Sequence, residues 1–244
     1  MNQFDSTKVT GGAQTDLGLR TFLLGTYRYM AMAMAVTAVV AFFTGQAITN
    51  GVIPVSLIYN PITAIASFLI IVFGFGAVGK KLPSMSQGGV LAFLFGFAAF
   101  MGVLMSAYAT AFFDPTIVAK IFFMTVAMFG ALSLFGYTTK FNLSAVVKYA
   151  FAAFMGYVLI GLVGMFVPAL SVFAGGTFGM IINIVALAAI AVITAWETQH
   201  LKRVYYAYAN DASMQGKMQA FGAASLLLAF INMFQILMNL FGRE

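Results

Sequence analysis

One carboxylate lies at the point where an apolar segment of this chain meets a run of charge. Glu197 follows the apolar residues 181–196 and precedes His200, Lys202 and Arg203, and the other five acidic residues stand outside the apolar segments. A carboxylate at membrane depth is costly and usually faces the interior of a helix bundle or a water-filled path. Glu197 is therefore the first candidate for a functional residue.

Neutral polar side chains accompany Glu197. On a helix, Asn183, Thr194 and Glu197 fall within about 40° of one another at 100° per residue, which predicts one polar stripe. The last apolar segment carries three more candidates at spacings of three and four: Asn232, Gln235 and Asn239. We predict that these five neutral residues line a pore and offer oxygen atoms to a cation. Hydrogen bonding between helices is the alternative for the last three.

The composition is that of a membrane protein. Of 244 residues, 62% are hydrophobic and 7% are charged, which is more apolar side chain than one soluble core can bury. Apolar runs of about 20 residues, the length that crosses a bilayer, recur along the chain. We predict an all-α integral membrane protein with seven transmembrane helices, at residues 22–44, 55–79, 88–110, 116–137, 146–167, 177–197 and 220–241.

The basic residues predict how the chain is oriented. No linker divides it, so we expect a polar cytoplasmic leader at residues 1–20 and a single membrane domain at residues 21–244. Ten of the 12 Lys and Arg residues fall on one side of the predicted membrane: Lys8, Arg20, Arg28, Lys80, Lys81, Lys140, Lys148, Lys202, Arg203 and Lys217. By the positive-inside rule, the amino terminus is cytoplasmic and the carboxyl terminus is outside.

The residue types that most enzymes need are missing or isolated. The chain has no cysteine and one histidine, His200, which stands among basic residues and is expected to be solvated. A zinc site needs three or four ligands, and Glu197 alone is a weak calcium ligand, so we predict no further metal site. Serines within the spans have no histidine or lysine at matching depth. We predict that the protein is not an enzyme and has no cofactor and no nucleic-acid partner.

Four motifs occur in order along the chain. Ser133–Ser144 reads SLFGYTTKFNLS, Tyr27–Ala31 reads YRYMA, Trp196–Lys202 reads WETQHLK and Leu226–Phe234 reads LLLAFINMF. Together they resemble the motifs of the Bax inhibitor-1 family in its bacterial branch, and the resemblance covers the chain past residue 17. It implies a multi-pass protein of the bacterial inner (plasma) membrane.

The resemblance also implies an architecture and a function. It implies a seven-helix bundle with the last helix central and, for some members, a pH-sensitive calcium leak. In that function two facing acids, one from each of the last two motifs, share protons near a basic group at the end of span two. Glu197 matches the first acid, Ala229 stands at the position of the second, and Lys80 and Lys81 lie where the basic partner is expected.

Two hypotheses follow. In the first, the protein leaks calcium or other cations, and Glu197 is the gate, paired with Lys80 or Lys81 when closed and released when protonated. In the second, the loss of the acid at Ala229 leaves a non-conducting protein of the lipid bilayer that modulates a membrane protease or a stress response. Lys80 and Lys81 are then ordinary anchors that orient the chain in the membrane.

Overall fold

The computed structural model describes residues 4–110, 114–167 and 176–242, with side chains from residue 17 onward. Its helices are α1 Phe4–Thr49, α2 Val55–Ile58, α3 Pro61–Lys81, α4 Gln87–Met105, α5 Pro115–Thr138, α6 Ser144–Gly164, α7 Gly176–Ala207 and α8 Ala212–Phe241. Short 3-10 turns follow α3 and α4, and the described residues contain no strand. Seven of the described helices, all but α2, are long and apolar enough to cross a membrane, which confirms the predicted class.

The last helix lies at the centre of the bundle. α8 packs against α1, α4, α5 and α7, and it is the most buried of the spanning helices. By contrast, α3 and α6 expose most of their apolar side chains, as helices on the lipid-facing rim of a bundle do. The predicted central position of the last helix is confirmed.

The second span begins later than the sequence predicted. A single helix was expected from residue 55, but α2 ends at Ile58 and α3 begins at Pro61. The Asn60 side chain accepts a hydrogen bond of 2.9 Å from the Thr63 N–H, and Pro61 occupies the first helical position. An asparagine cap followed by proline is a strong start signal, and here it decides the boundary.

The sixth and seventh helices are longer than predicted. The sequence placed their boundaries at residues 197 and 220, whereas α7 continues to Ala207 and α8 begins at Ala212. The Asp211 carboxylate accepts a hydrogen bond of 2.8 Å from the Met214 N–H and so caps the start of α8. Glu197 therefore lies inside a helix, about 15 Å from its end at 1.5 Å per residue.

The charged residues define two ends of the bundle. We call the end where α3, α5 and α7 terminate the basic end, because Lys80, Lys81, Lys140, Lys148 and Arg203 are exposed there. The other end, where α1, α4 and α8 terminate, is the far end. α1 begins at Phe4 and runs through most of the predicted leader, while residues 1–3 and Arg243 lie outside the described residues.

Candidate functional site

A cavity of about 230 Å³ lies beside Glu197 near the basic end. Three spanning helices meet there, since the cavity is bounded by the end of α3, the last third of α7 and the first half of α8. We call it the acid cavity, and its lining residues are Gly79, Leu82, Trp196, Glu197, His200, Leu201, Val204, Met218, Phe221, Gly222 and Ser225.

Hydrogen bonds tie the loop between α5 and α6 to α7 beside this cavity. The Gln199 side chain donates to the Phe141 carbonyl at 2.8 Å and accepts from the Leu143 N–H at 3.1 Å. One helical turn away, the Trp196 Nε1–H donates to the Ser144 hydroxyl at 3.2 Å. The motif Trp196–Lys202 thus holds the end of the motif Ser133–Ser144, which fixes α7 relative to the loop.

Two further contacts hold the same turn of α7. Thr198 and Tyr27 of α1 share a hydrogen bond of 3.1 Å between their hydroxyl groups. Gly136 of α5 lies against Ala195 so closely that a Cβ at position 136 would overlap the Ala195 carbonyl. Small residues allow helices to approach closely in membranes. We call these residues the clamp: Tyr27, Gly136, Phe141, Leu143, Ser144, Ala195, Trp196, Thr198 and Gln199.

Glu197 differs from its neighbours in the clamp because its carboxylate has no partner. It is partly exposed to the acid cavity and forms no hydrogen bond or ion pair with any described residue. Lys80 and Lys81 are exposed and stand between Gly79 and Leu82, which line the cavity. The structure therefore places the predicted basic partners beside the cavity without forming the predicted ion pair.

The acid cavity contains two polar residues that sequence reasoning missed, and it corrects the expectation that no serine within a span has a histidine at matching depth, because Ser225 and His200 both line it. Ser225 brings a hydroxyl from α8, whereas Ala229, one turn further along, is buried and does not line the cavity. His200 lines it as well and stacks on Trp196, with 5.0 Å between ring centroids and 11° between ring planes. Its spacing of three residues from Glu197 was the available signal, because such residues share a helix face.

The predicted pore-lining residues of α7 and α8 meet in part at the far end. The Tyr157 hydroxyl of α6 donates to the Asn183 Oδ1 at 3.3 Å, and the Asn239 Nδ2–H donates to the Tyr157 hydroxyl at 3.3 Å. We call these three residues the far polar cluster. At 1.5 Å per residue, Asn183 lies about 21 Å from Glu197 along α7.

The other candidates do not connect the cluster to the cavity. The Thr194 hydroxyl donates at 2.7 Å to the Ile190 carbonyl of its own helix. Asn232 and Gln235 form no hydrogen bond with any described residue and do not line the acid cavity. Buried apolar side chains occupy the intervening turns of α7 and α8, and we call them the apolar seal: Ile190, Ile193, Leu226, Phe230 and Met233.

The oxygen donors around Glu197 are too few to hold a calcium ion permanently. Calcium takes six to eight oxygen ligands, and the acid cavity offers the Glu197 carboxylate and the Ser225 hydroxyl as side-chain donors. No group of three or more His, Cys, Asp or Glu side chains that could hold a metal ion occurs among the described residues. The described residues therefore form no complete calcium site at the acid cavity.

Comparison with known proteins matches nearly the whole chain. A family described as "Inhibitor of apoptosis-promoting Bax1" matches residues 19–244. An uncharacterized protein of Caulobacter vibrioides is 30% identical over 239 residues, covering 93% of this chain and 90% of that protein. Inner membrane protein YbhL of Escherichia coli K12 is 30% identical over 233 residues, covering 95% of each chain. Protein RP147 of Rickettsia prowazekii is 30% identical over 245 residues, covering 94% of this chain and 92% of its own.

Proposed function

Because the chain belongs to the Bax inhibitor-1 family, we propose that it is a pH-sensitive cation leak of the bacterial inner membrane, with calcium as the ion and Glu197 as the gate. One observation carries the proposal: the Glu197 carboxylate faces a cavity at the basic end without a hydrogen bond or ion pair to any described residue. An ionisable group kept free at membrane depth is a default candidate for an ion or proton pathway.

The gate works through the charge of Glu197. When ionised, the carboxylate is attracted to Lys80 and Lys81 beside the cavity, which draws the end of α3 toward α7 and keeps the acid cavity closed. Protonation removes that attraction and favours a conformation in which α3 and α7 separate. A proton shifts the equilibrium between the closed and the open conformation only if it interacts differently with the two, and the charges of Lys80 and Lys81 supply that difference here.

The transferred ion binds weakly at the gate. Conduction requires a binding site attractive enough to enter and weak enough to leave, and in the open state the protonated Glu197 side chain and the Ser225 hydroxyl offer calcium only neutral oxygens, which bind it weakly. The far polar cluster offers neutral oxygens at the other end of the path. The clamp holds the backbone around Glu197, so that a movement of α3 changes the surroundings of the acid without displacing the acid itself.

The experiment is calcium influx into dye-loaded proteoliposomes from about pH 8 to about pH 5.5, which brackets the physiological range. We expect the native flux to rise as pH falls, by at most about tenfold per pH unit for a one-proton gate. Glu197→Gln should conduct at every pH, because its amide imitates the protonated acid. Asp211→Asn is the matched control, since it also exchanges an acid for its amide at the basic end but keeps the cap of α8.

Ala229→Asp tests whether one acid is enough. A second carboxylate coupled to Glu197 should spread the pH dependence over two proton-binding steps. A native protein that is silent while Ala229→Asp conducts would mean that the scaffold is a leak whose sensor has been lost. Silence of the native protein, Glu197→Gln and Ala229→Asp, all correctly folded, would refute the channel.

The second candidate is a non-conducting membrane protein that modulates a protease or a stress response. Two observations favour it: the apolar seal between cavity and far polar cluster, and the apolar residue Ala229 at the position of the second acid. In that function, Glu197→Gln and Lys80→Gln leave flux at zero and alter instead the proteins cross-linked to this chain in native membranes.

A further inference from the structure

A second and larger cavity opens on the side of the bundle, toward the far end. Its volume is about 1130 Å³. α1 packs against α4 and α8, while α5 packs against α7 and α8, so α1 and α5 approach the central helix from different sides and leave a gap. We call this gap the lateral groove. Its walls are α1, α5 and the end of α4 with the 3-10 turn that follows it, and its floor includes Phe230 and Phe234 of α8.

The lining of the lateral groove changes from polar to apolar with depth. At the far end it contains Gln46 and Thr49 of α1 and Asp114 at the start of α5, and toward the bundle centre it contains Met34 and Phe122. Met34 and Thr49 are about 22 Å apart along α1, which is more than one leaflet of a ~30 Å hydrocarbon core. A polar mouth at the membrane surface above an apolar interior matches the polar headgroup and apolar chains of an amphiphile.

The charges at the mouth indicate which headgroup fits. Asp114 is the only charged residue among the described residues that line the groove, and it is exposed. Its carboxylate accepts a hydrogen bond of 2.7 Å from the Thr116 N–H, which lowers its pKa, and nearby Lys120 lowers the pKa further. The mouth therefore presents a negative charge, and Lys120, which is exposed on the same helix and does not line the groove, adds a positive charge that acts on Asp114. Together the two charges complement an ammonium and a phosphate on one molecule.

We propose that the lateral groove binds one phosphatidylethanolamine molecule, with its ammonium group at Asp114, its phosphate toward Lys120 and its acyl chains against α8. The groove exceeds the pockets of about 300–1,000 Å³ that hold drug-sized ligands, as a lipid requires. Phospholipid is also the phase that surrounds this side of the bundle. The proposal does not depend on ion conduction.

The first test asks whether the groove holds lipid at all. The full-length protein is purified in mild detergent, and bound phospholipid is counted by native mass spectrometry. Ala119→Trp on the α5 wall and Ala38→Trp on the α1 wall fill the groove, whereas Ala153→Trp places the same indole on the exposed face of α6. We expect one tightly bound lipid in the native protein and in Ala153→Trp, and its loss from both groove variants. Equal lipid in all four proteins, each with a cooperative thermal transition, would overturn the proposal.

The second test asks which headgroup is selected. The purified protein is incubated with equal amounts of phosphatidylethanolamine and phosphatidylglycerol so that its bound lipid exchanges. The lipid that is then bound is identified by its mass. Asp114→Asn keeps the helix cap but removes the charge, so the preference for phosphatidylethanolamine should fall about two- to fivefold while a lipid stays bound. A native protein that binds both lipids equally, or prefers phosphatidylglycerol, would contradict the assigned headgroup. Detergent alone in the groove after exchange would contradict the lipid site.

Discussion

At the basic end, Gln199 and Trp196 hold the α5–α6 loop against α7, whereas at the far end Tyr157, Asn183 and Asn239 bond to one another, and Asn183 also donates to the Gly179 carbonyl of its own helix. The packing differs in the same way. α5 touches the backbone of α7 near the basic end, but α5 and α1 are separated by the lateral groove toward the far end.

The comparison indicates where this protein requires precise geometry. The two bonds of Gln199 to the backbone of the α5–α6 loop fix its position, and the side-chain bonds of Trp196 and Thr198 add to them, while side chains bonded to one another, as in the far polar cluster, tolerate small shifts of their helices. Three of the four motifs contribute to the clamp or to the turn of α7 that it holds. Within that turn Glu197 is the residue without a partner, so the clamp orients the acid toward its cavity.

The largest effect is expected where the two helices of the clamp are closest. Gly136→Ala forces a Cβ into the Ala195 carbonyl, so α5 and α7 must separate. We expect a loss of about 2 kcal/mol in the free energy of unfolding, as for other overpacked interiors. The measurement is the thermal transition of the purified protein in detergent, followed by gel filtration.

Gly130→Ala is the matched control in the same helix. A Cβ at Gly130 meets nothing within 4 Å, so alanine there should be neutral or stabilise α5 by up to about 1 kcal/mol. Equal stabilities for the two alanine variants would mean that the clamp does not depend on the contact between Gly136 and Ala195. The contrast between the two ends of the bundle would then lose its main support.

A smaller effect is expected from the far polar cluster. Tyr157→Phe removes one hydroxyl and with it the bonds to Asn183 and Asn239. Hydrogen bonds between membrane helices contribute about 0.6 kcal/mol on average, so the loss of stability should be well below that of Gly136→Ala. Tyr149→Phe, on the exposed face of the same helix, should change nothing measurable. A loss from Tyr157→Phe that equals the clamp variant would remove the distinction between the two ends.

Much of the fold could be predicted from the sequence, but the helix boundaries could not. Hydropathy located all seven spans, because each contains an apolar run long enough to cross a bilayer. It ended the sixth span at residue 197, where the apolar run stops, whereas α7 continues to Ala207. Polar residues remain helical there since Gln199 and Thr198 bond to other elements, and these tertiary contacts have no signal in hydropathy.

Of the candidate site, the sequence predicted Glu197 but not most of the residues that surround it. Glu197 stood out by its membrane depth, but the side chains that other helices bring to its cavity depend on the register between α3, α7 and α8. That register brings Ser225 to the acid cavity and leaves Ala229 outside it, whereas His200 reaches the cavity from the same face of α7 as Glu197. The lateral groove had no sequence signal either, because it is a gap between helices that are distant in the chain.

The smallest effect is expected at Asp114, whose charge is exposed at the far end. The hydrogen bond from the Thr116 N–H lowers its pKa in the folded protein, so Asp114 stabilises the fold above its unfolded pKa of about 3.9 and loses that contribution as pH falls through the folded value. Asp114→Asn retains the cap, and the charge accounts for any remaining difference. The native protein should therefore have a slightly higher thermal midpoint than Asp114→Asn at about pH 7, and the two midpoints should converge as the pH falls below the folded pKa of Asp114. A difference that stays constant with pH would show that the charge of Asp114 does not stabilise the start of α5.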